Sequence, residues 1–369
     1  LSATGATTLP ELETPALLID LDALEANLAE MAAVAARAGV RLRPHTKTHK
    51  SPEIARMQLE AGAAGITCAK LGEAEVMADA GLDDLLVAYP LVGEGKLRRL
   101  RDLMERARVR ASLDSVEVAE GLGRVGRERG RDVEVLVEVD TGLHRLGRPP
   151  GRPTAELVGR VARVPGVEVV GLLTHAGHSY RAGAPEERRR VAEREVLDLV
   201  ETAELCRRDG IAIGEISVGS TPTARTGAFV DGVTELRPGT YALNDTTMMR
   251  LGIATEATAA ARVLVTVVAR PADDRFVVDA GSKCFTTDNM GSVPDWLVVA
   301  GRPDLHMDFL SEEHGVGHPA GGDGVRIGDR LQVIPSHACT CVNMFDVAYG
   351  VRDGQVERQF QIAGRGKVR

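Results

Sequence analysis

A chain of 369 residues, 44% hydrophobic and 27% charged, is too long for one ordinary domain and has ample material for a large buried core. Its net charge of −8, with no block of lysine and arginine, excludes a nucleic-acid surface as the main business of the protein. Aromatic residues make up only 3%, so the core is aliphatic and wide base-stacking platforms are excluded.

The predicted elements follow a repeating pattern. Leu24, Leu28, Met31 and Ala35 fall at helical spacing, and Gly39 supplies a stop. Apolar, β-branched runs then recur at residues 40–45, 65–69, 85–89, 108–113, 133–140, 167–174, 211–218 and 234–243. Between them lie helical patterns at 52–63, 72–80, 95–106, 115–129, 154–164 and 186–208. Eight successive β-then-α units match a closed (β/α)8 TIM-type barrel better than an open sheet. Beyond residue 250 the pattern changes to short strands such as ARVLVTVVARP, RFVVDAG, DRLQVIPSH, VAYGVRDG and QVERQFQIAG, separated by Gly, Pro and Asp. The glycine-rich stretch 312–324 reads as a turn or loop. The expected organisation is an N-terminal extension over 1–15 packed on the β domain, a barrel over 16–250, and a C-terminal β domain over 251–369.

No run approaches the roughly 18 apolar residues that span a bilayer, and the N-terminus lacks the regions of a signal peptide. Five cysteines (Cys68, Cys206, Cys284, Cys339, Cys341) cannot make a disulfide scaffold for a chain of this size. Reduced thiols, a cytoplasmic location and no membrane partner are the expectation.

In a βα barrel the working residues sit at the C-terminal ends of strands. The first barrel strand ends in RPHTKTHK, where Lys47 is expected to be crowded by His45, His49, Lys50 and Arg43. Like charge and desolvation would lower its pKa, as a Schiff-base lysine needs; a solvent-facing basic turn is the alternative. The fifth strand leads to Asp140, Thr141, His144 and Arg145, and the sixth to His175, His178 and Tyr180. Two consecutive mouths rich in His, Arg and Tyr are hard to assign to packing. After the seventh and eighth strands, Gly219, Ser220 and Thr221, then Gly239 and Thr240, offer N–H and hydroxyl donors where barrels usually cradle phosphate. A phosphorylated ligand beside a Schiff-base lysine suggests pyridoxal 5′-phosphate.

In the β domain, His337 and Cys339 stand two apart at the end of a strand, so on an extended chain both point to one side. Such a pair suits zinc, with cobalt or manganese as alternatives, and two protein ligands alone would leave room for water and substrate. A buried thiol next to an ordinary histidine is the competing reading. Arg225, Lys283 and His314 are candidate carboxylate partners, with ordinary salt bridges as the alternative.

Taken together, TPALLIDLDALEANL, RPHTKTHKSPEIA, VEVDTGLHRLG, HAGHSY, ELRPGTYALND, VDAGSK, EEHG and PSHACTCVN span nearly the whole chain in order. The chain so resembles the D-threonine aldolase and D-serine dehydratase family of fold-type III pyridoxal-phosphate enzymes, and more distantly the alanine racemases. The resemblance implies a homodimer with active sites where barrel and β domain meet. It implies Lys47 as the cofactor lysine, with His45 near it and Lys50 as the nearest rival, and Arg145 orienting the cofactor with Tyr180 beside it. Gly219, Ser220, Thr221, Gly239, Thr240 and Tyr241 would hold the phosphate, and Lys47, His45, His175 and Tyr180 are the candidate catalytic residues. His337 and Cys339 would hold a divalent metal: zinc, or else manganese, cobalt or magnesium.

Aldolase members often carry aspartate as the second metal ligand and dehydratases cysteine, so Cys339 favours dehydration. The leading expectation is a lyase that eliminates water from D-3-hydroxyamino acids. Retro-aldol cleavage to glycine and an aldehyde comes second and racemisation third. A non-enzymatic cofactor-binding protein is disfavoured by the β domain with its metal pair.

Overall fold

The computed structural model describes residues 8–288, 297–321 and 324–369. Residues 1–7 of the expected N-terminal extension and residues 322–323 of the glycine-rich stretch lie outside the described residues. In chain order come β1 (Ala16–Asp20), α1 (Leu21–Ala38), β2 (Arg41–Leu42), α2 (Pro52–Glu60), β3 (Ile66–Cys68), α3 (Leu71–Asp79), β4 (Asp84–Val87), α4 (Glu94–Leu103), β5 (Arg108–Leu113), α5 (Val116–Arg129) and β6 (Val133–Glu138). They are followed by α6 (Arg152–Val161), β7 (Val167–Leu173), α7 (Pro185–Arg208), β8 (Glu215–Val218), α8 (Thr221–Gly227), β9 (Glu235–Leu236) and α9 (Thr246–Arg250). The remainder is β10 (Ala261–Ala272), β11 (Arg275–Val278), α10 (Ser282–Phe285), β12 (Leu297–Val299), β13 (Leu305–Leu310), β14 (Gly315–Pro319), β15 (Arg330–Ile334), α11 (Ala338–Val342), β16 (Val347–Arg352) and β17 (Gln355–Gln361).

By contact the chain divides into two compact units. One comprises the chain up to Ala29, Thr48–Ile54 and Thr240–Arg365; the other comprises Glu30–Lys47, Ala55–Gly239 and Gly366–Arg369. The second unit holds the barrel. Its eight strands run parallel in the order β2, β9, β8, β7, β6, β5, β4, β3. The edge strands β2 and β3 are joined by a parallel bridge between His45 and Thr67, where Thr67 N donates to Pro44 O at 2.8 Å. That bridge closes the sheet and makes the (β/α)8 barrel. Each expected barrel strand and helix is present, with β2, β8 and β9 shorter than their sequence patterns.

The starts of the barrel strands carry an unexpected set of charges. Arg43 Nε donates to Glu235 at 2.9 Å and its Nη1 to Asp84 at 2.6 Å. Arg110 bridges Glu134 at 3.0 Å and Glu215 at 3.2 Å, and Arg41 and Arg108 join the same carboxylates. Arg43, Arg110 and Glu235 are buried. Four cations thus meet four carboxylates, and this pairing is what permits their burial. Arg43 was expected to crowd Lys47; its guanidinium is instead committed to this network, because two carboxylates hold it there.

The other unit holds a sheet ordered β11, β14, β13, β12, β15, β10, β1, β16, β17. β1 pairs antiparallel with β10 and parallel with β16. The sequence reading set the barrel domain at 16–250; by contact, β1 and residues 240–250 group with this sheet. Hydrogen bonding to strands on both of its sides draws the apolar run Ala16–Asp20 there. Leu12, Ala16, Leu18 and Leu264 form a cluster with Leu9, Tyr349, Val351 and Val356. The glycine-rich stretch was expected to be loop, yet residues 315–319 form β14, paired between β11 and β13. Its glycines are small because the strand lies against Phe276: a Cβ at Gly317 would run into that ring. β13 was missed although Leu305 and Met307 alternate inward with period two. Among the described residues no helix is long and apolar enough to cross a membrane.

Candidate functional site

The C-terminal ends of the barrel strands gather one group of candidate residues. Lys47 sits in a single 3₁₀ turn, Thr46–Thr48, just past β2, and its backbone N–H donates to His45 Nδ1 at 3.3 Å. Thr46 anchors the turn by donating to Thr67 O at 3.0 Å and to the buried Glu73 carboxylate at 2.6 Å. From the end of β7 comes His175, whose Nδ1 lies 3.3 Å from Gly219 O. Burial in the mouth, then the charge of Lys47, pull both His45 and His175 well below the usual imidazole range, and Arg145 and Arg237 act in the same direction. Both imidazoles are therefore neutral near pH 7, among three cationic side chains.

Arg145 keeps half of its side chain exposed and lies 3.9 Å from Glu138, whose carboxyl burial pushes up. Arg237 is buried and donates to Ser217 Oγ and Thr174 O, each at 2.6 Å. Tyr180 lies in the 3₁₀ turn Gly177–Arg181 after β7 and is partly buried. Asp140 closes its loop by accepting from Gly142 N and His144 N, and lies 2.9 Å from His144 Nδ1. His178 beside it has a buried Nδ1 without a hydrogen-bond partner.

The donor loop after β8 is built tightly. Gly219 has φ +121, and a Cβ there would stand 3.1 Å from Arg237 N. Ser220 caps α8; its hydroxyl meets Ser179 at 3.0 Å and Thr223 at 3.1 Å. Thr221 opens α8 and is buried. Glu195 of α7 is buried next to this loop, and burial pushes its carboxyl up to about 7. These residues fit a phosphorylated aldehyde. Lys47 offers the amine, the mouth is cationic, Gly219 leaves the space a Cβ would fill, and His178 Nδ1 awaits a partner.

The division between units falls after Gly239, and Thr240 and Tyr241 lie in the sheet unit, both buried. The Thr240 hydroxyl, expected to serve phosphate, stands 3.8 Å from Cys339 Sγ. A separate group of candidate residues lies in this unit. His337 and Cys339 do not lie on an extended chain, as the sequence suggested: β15 stops at Ile334, His337 is the N-cap residue of α11, and Cys339 lies in its first turn. The tight turn still brings the imidazole and thiol together. Burial pulls the His337 pKa down, but the Cys339 and Asp245 charges outweigh it and raise it to about 11. Thr48 Oγ1 is 3.2 Å from Cys339 Sγ.

Among the described residues, no group of three or more His, Cys, Asp or Glu side chains is arranged to hold a metal ion. The donor set is a pair: a buried imidazole with two anionic neighbours, and the thiol of Cys339, which is one of them. A soft divalent cation suits that pair. Of the other candidates, Arg225 pairs with Glu30 at 2.8 Å and Lys283 with Glu313 at 2.8 Å, both exposed. The sequence reading assigned no role to Arg237, Glu195, Asp245 or Thr48. Asp245 carried a legible signal, an Asp preceding a short helix; the burial of Glu195 had none.

A family profile described as alanine racemase, N-terminal domain, matches residues 19–247, and one described as putative serine dehydratase domain matches residues 260–351. The D-threo-3-hydroxyaspartate dehydratase of Delftia sp. (strain HT23) is 36% identical over 97% of this chain and 99% of its own. The crystal structure of D-threonine aldolase from Filomicrobium marinum superposes with a TM-score of 0.93 at 33% identity, covering 100% of both chains. A Cys-to-Ala mutant of a D-threo-3-hydroxyaspartate dehydratase, solved in the metal-free form, gives a TM-score of 0.89 at 34% identity over 96% of this chain and 98% of that one.

Proposed function

Because the chain belongs to the D-threonine aldolase and D-serine dehydratase family of fold-type III pyridoxal-phosphate-dependent lyases, we propose that it eliminates water from a D-3-hydroxyamino acid. D-serine, D-threonine and D-threo-3-hydroxyaspartate are the candidate substrates. The reaction breaks the Cα–H and Cβ–O bonds, and hydrolysis of the resulting enamine, as its imine, gives a 2-oxo acid and ammonia. Pyridoxal phosphate, when bound, supplies an electron sink at Cα, and a divalent metal supplies a Lewis acid for the β-hydroxyl.

The chain's own residues divide the remaining work. Lys47 Nζ would hold the cofactor and take the Cα proton. His45 and His175, neutral because of burial and the surrounding cations, would act as hydrogen-bonding groups beside Lys47, each ring offering one donor and one acceptor. Arg145 and Tyr180 would orient the cofactor, and Gly219, Ser220, Thr221 and Gly239 would serve its phosphate. His337 and Cys339 would hold the metal, zinc first among the candidates. None of the five cysteines, all of them among the described residues, forms a disulfide, which supports a reducing, cytoplasmic setting. A homodimer is part of the proposal, readable by light scattering.

The observation that carries elimination over cleavage is the thiol of Cys339 beside His337. Retro-aldol cleavage is the second reading, favoured by the full-length likeness to a D-threonine aldolase. Incubating the cofactor- and zinc-loaded protein with each of the three D-amino acids separates them. Ammonia and 2-oxo acid in equal amounts, with no glycine, is the expected outcome. Glycine and an aldehyde without ammonia would overturn it.

A further inference from the structure

Asp245 is fully buried, and its two carboxylate oxygens do different jobs. Oδ1 accepts from Met248 N at 2.9 Å and so caps α9. Oδ2 accepts from Ala338 N at 3.0 Å, the first N–H of α11, and stands 3.4 Å from His337 Nδ1. That nitrogen is itself buried, and the Asp245 carboxylate that it faces raises the affinity of the ring for its proton. The segment before it is tied to the same turn: Thr246 N donates to Pro335 O at 3.1 Å, and Thr247 Oγ1 donates to Ser336 O at 2.8 Å. One carboxylate therefore fixes the backbone that carries His337 and faces one nitrogen of its ring.

The geometry points to Asp245 as a positioning residue for the metal pair: it receives the Nδ1 proton of His337 and so turns Nε2 toward the ion. An imidazole held in this way has one tautomer and one orientation, and a carboxylate behind it makes the outer nitrogen a stronger donor. Arg250, exposed at the end of α9, is a cation that interacts with the Asp245 charge and competes with His337 for it. Asp245 does not touch substrate in this role. It acts through His337, and the inference rests on the metal reading proposed above.

The test is zinc affinity of the pyridoxal-phosphate-loaded protein, read by competition with a chelator, in the parent and in Asp245→Asn. Asparagine keeps an oxygen for Met248 N but puts an amide nitrogen toward His337 and Ala338 N. The expected result is binding weakened roughly 10–100-fold, read well below the melting temperature, which falls because Ala338 N loses its acceptor. Asp245→Ser retains a helix cap without the reach to His337, and should lose affinity likewise.

Equal zinc affinity in parent and Asp245→Asn would overturn the inference. A measurement on the parent needs no variant: with 15N-labelled histidine, zinc-loaded His337 should show a protonated Nδ1, and a metal-bound Nδ1 would refute the assignment. A parent that takes up no zinc would overturn the metal reading and this inference together, which differs from a variant that binds as the parent does.

Discussion

Glu195→Gln should make the protein more stable at pH 8 and change little at pH 5. Glu195 is 1% exposed on α7, and neither carboxylate oxygen receives a hydrogen bond of good geometry. Burial raises its pKa from 4.5 to about 7, against the weaker opposing pull of Thr223, Arg237 and the backbone of Gly219 and Ala176. An acid whose pKa is higher folded than unfolded keeps its proton in the native state after the unfolded chain has released it. Its contribution is therefore fully present below about pH 4.5 and is lost as pH rises toward 7. The loss amounts to about 3 kcal/mol at pH 8, from the size of the shift. Glutamine is neutral throughout and escapes it. Thermal melts of the cofactor-free parent and variant at pH 5 and pH 8 read the difference, with a gain of a few degrees at the higher pH only. Equal melting-temperature differences at the two pH values, or destabilisation at both, would refute the argument that this carboxyl is buried without adequate donors.

Glu235→Ala removes the buried partner of Arg43 at the strand starts. Leaving part of that guanidinium's charge uncompensated should cost about 3–5 kcal/mol in denaturant unfolding, while the residues at the opposite end of the barrel remain chemically intact. Chelation of the holoenzyme should abolish ammonia release and leave the cofactor's absorbance in place, with activity restored by zinc. Full activity after exhaustive chelation would remove His337 and Cys339 from the reaction.

The legibility of the molecule in its sequence followed the range of the interactions involved. The barrel was readable because each βα unit carries its own local pattern, and the strands after β1 fall where alternating apolar runs place them. The place of β1 was not legible because ALLID is equally suitable for either sheet, and the choice is made by partners hundreds of residues away, β10 and β16. β14 was missed because its glycines report a close approach to Phe276 rather than a turn. At the site, Lys47, His45 and His175 stood out as polar residues ending apolar strands. Arg43 looked like their neighbour from sequence adjacency, whereas its contacts are set by Glu235 and Asp84 on other strands. Glu195 and Asp245 act through burial, which a helical pattern does not reveal.

The central claim is that pyridoxal phosphate is carried on Lys47 at the mouth of the barrel, and it can be read directly. The chain has six lysines, so borohydride reduction of the yellow holoenzyme followed by peptide mass mapping has few places to look. A pyridoxyl mass on the peptide containing Lys47, with Lys47→Ala folded and colourless, is the result the account predicts. A label on Lys50 or elsewhere, or a Lys47→Ala variant that stays yellow and reducible, would contradict it.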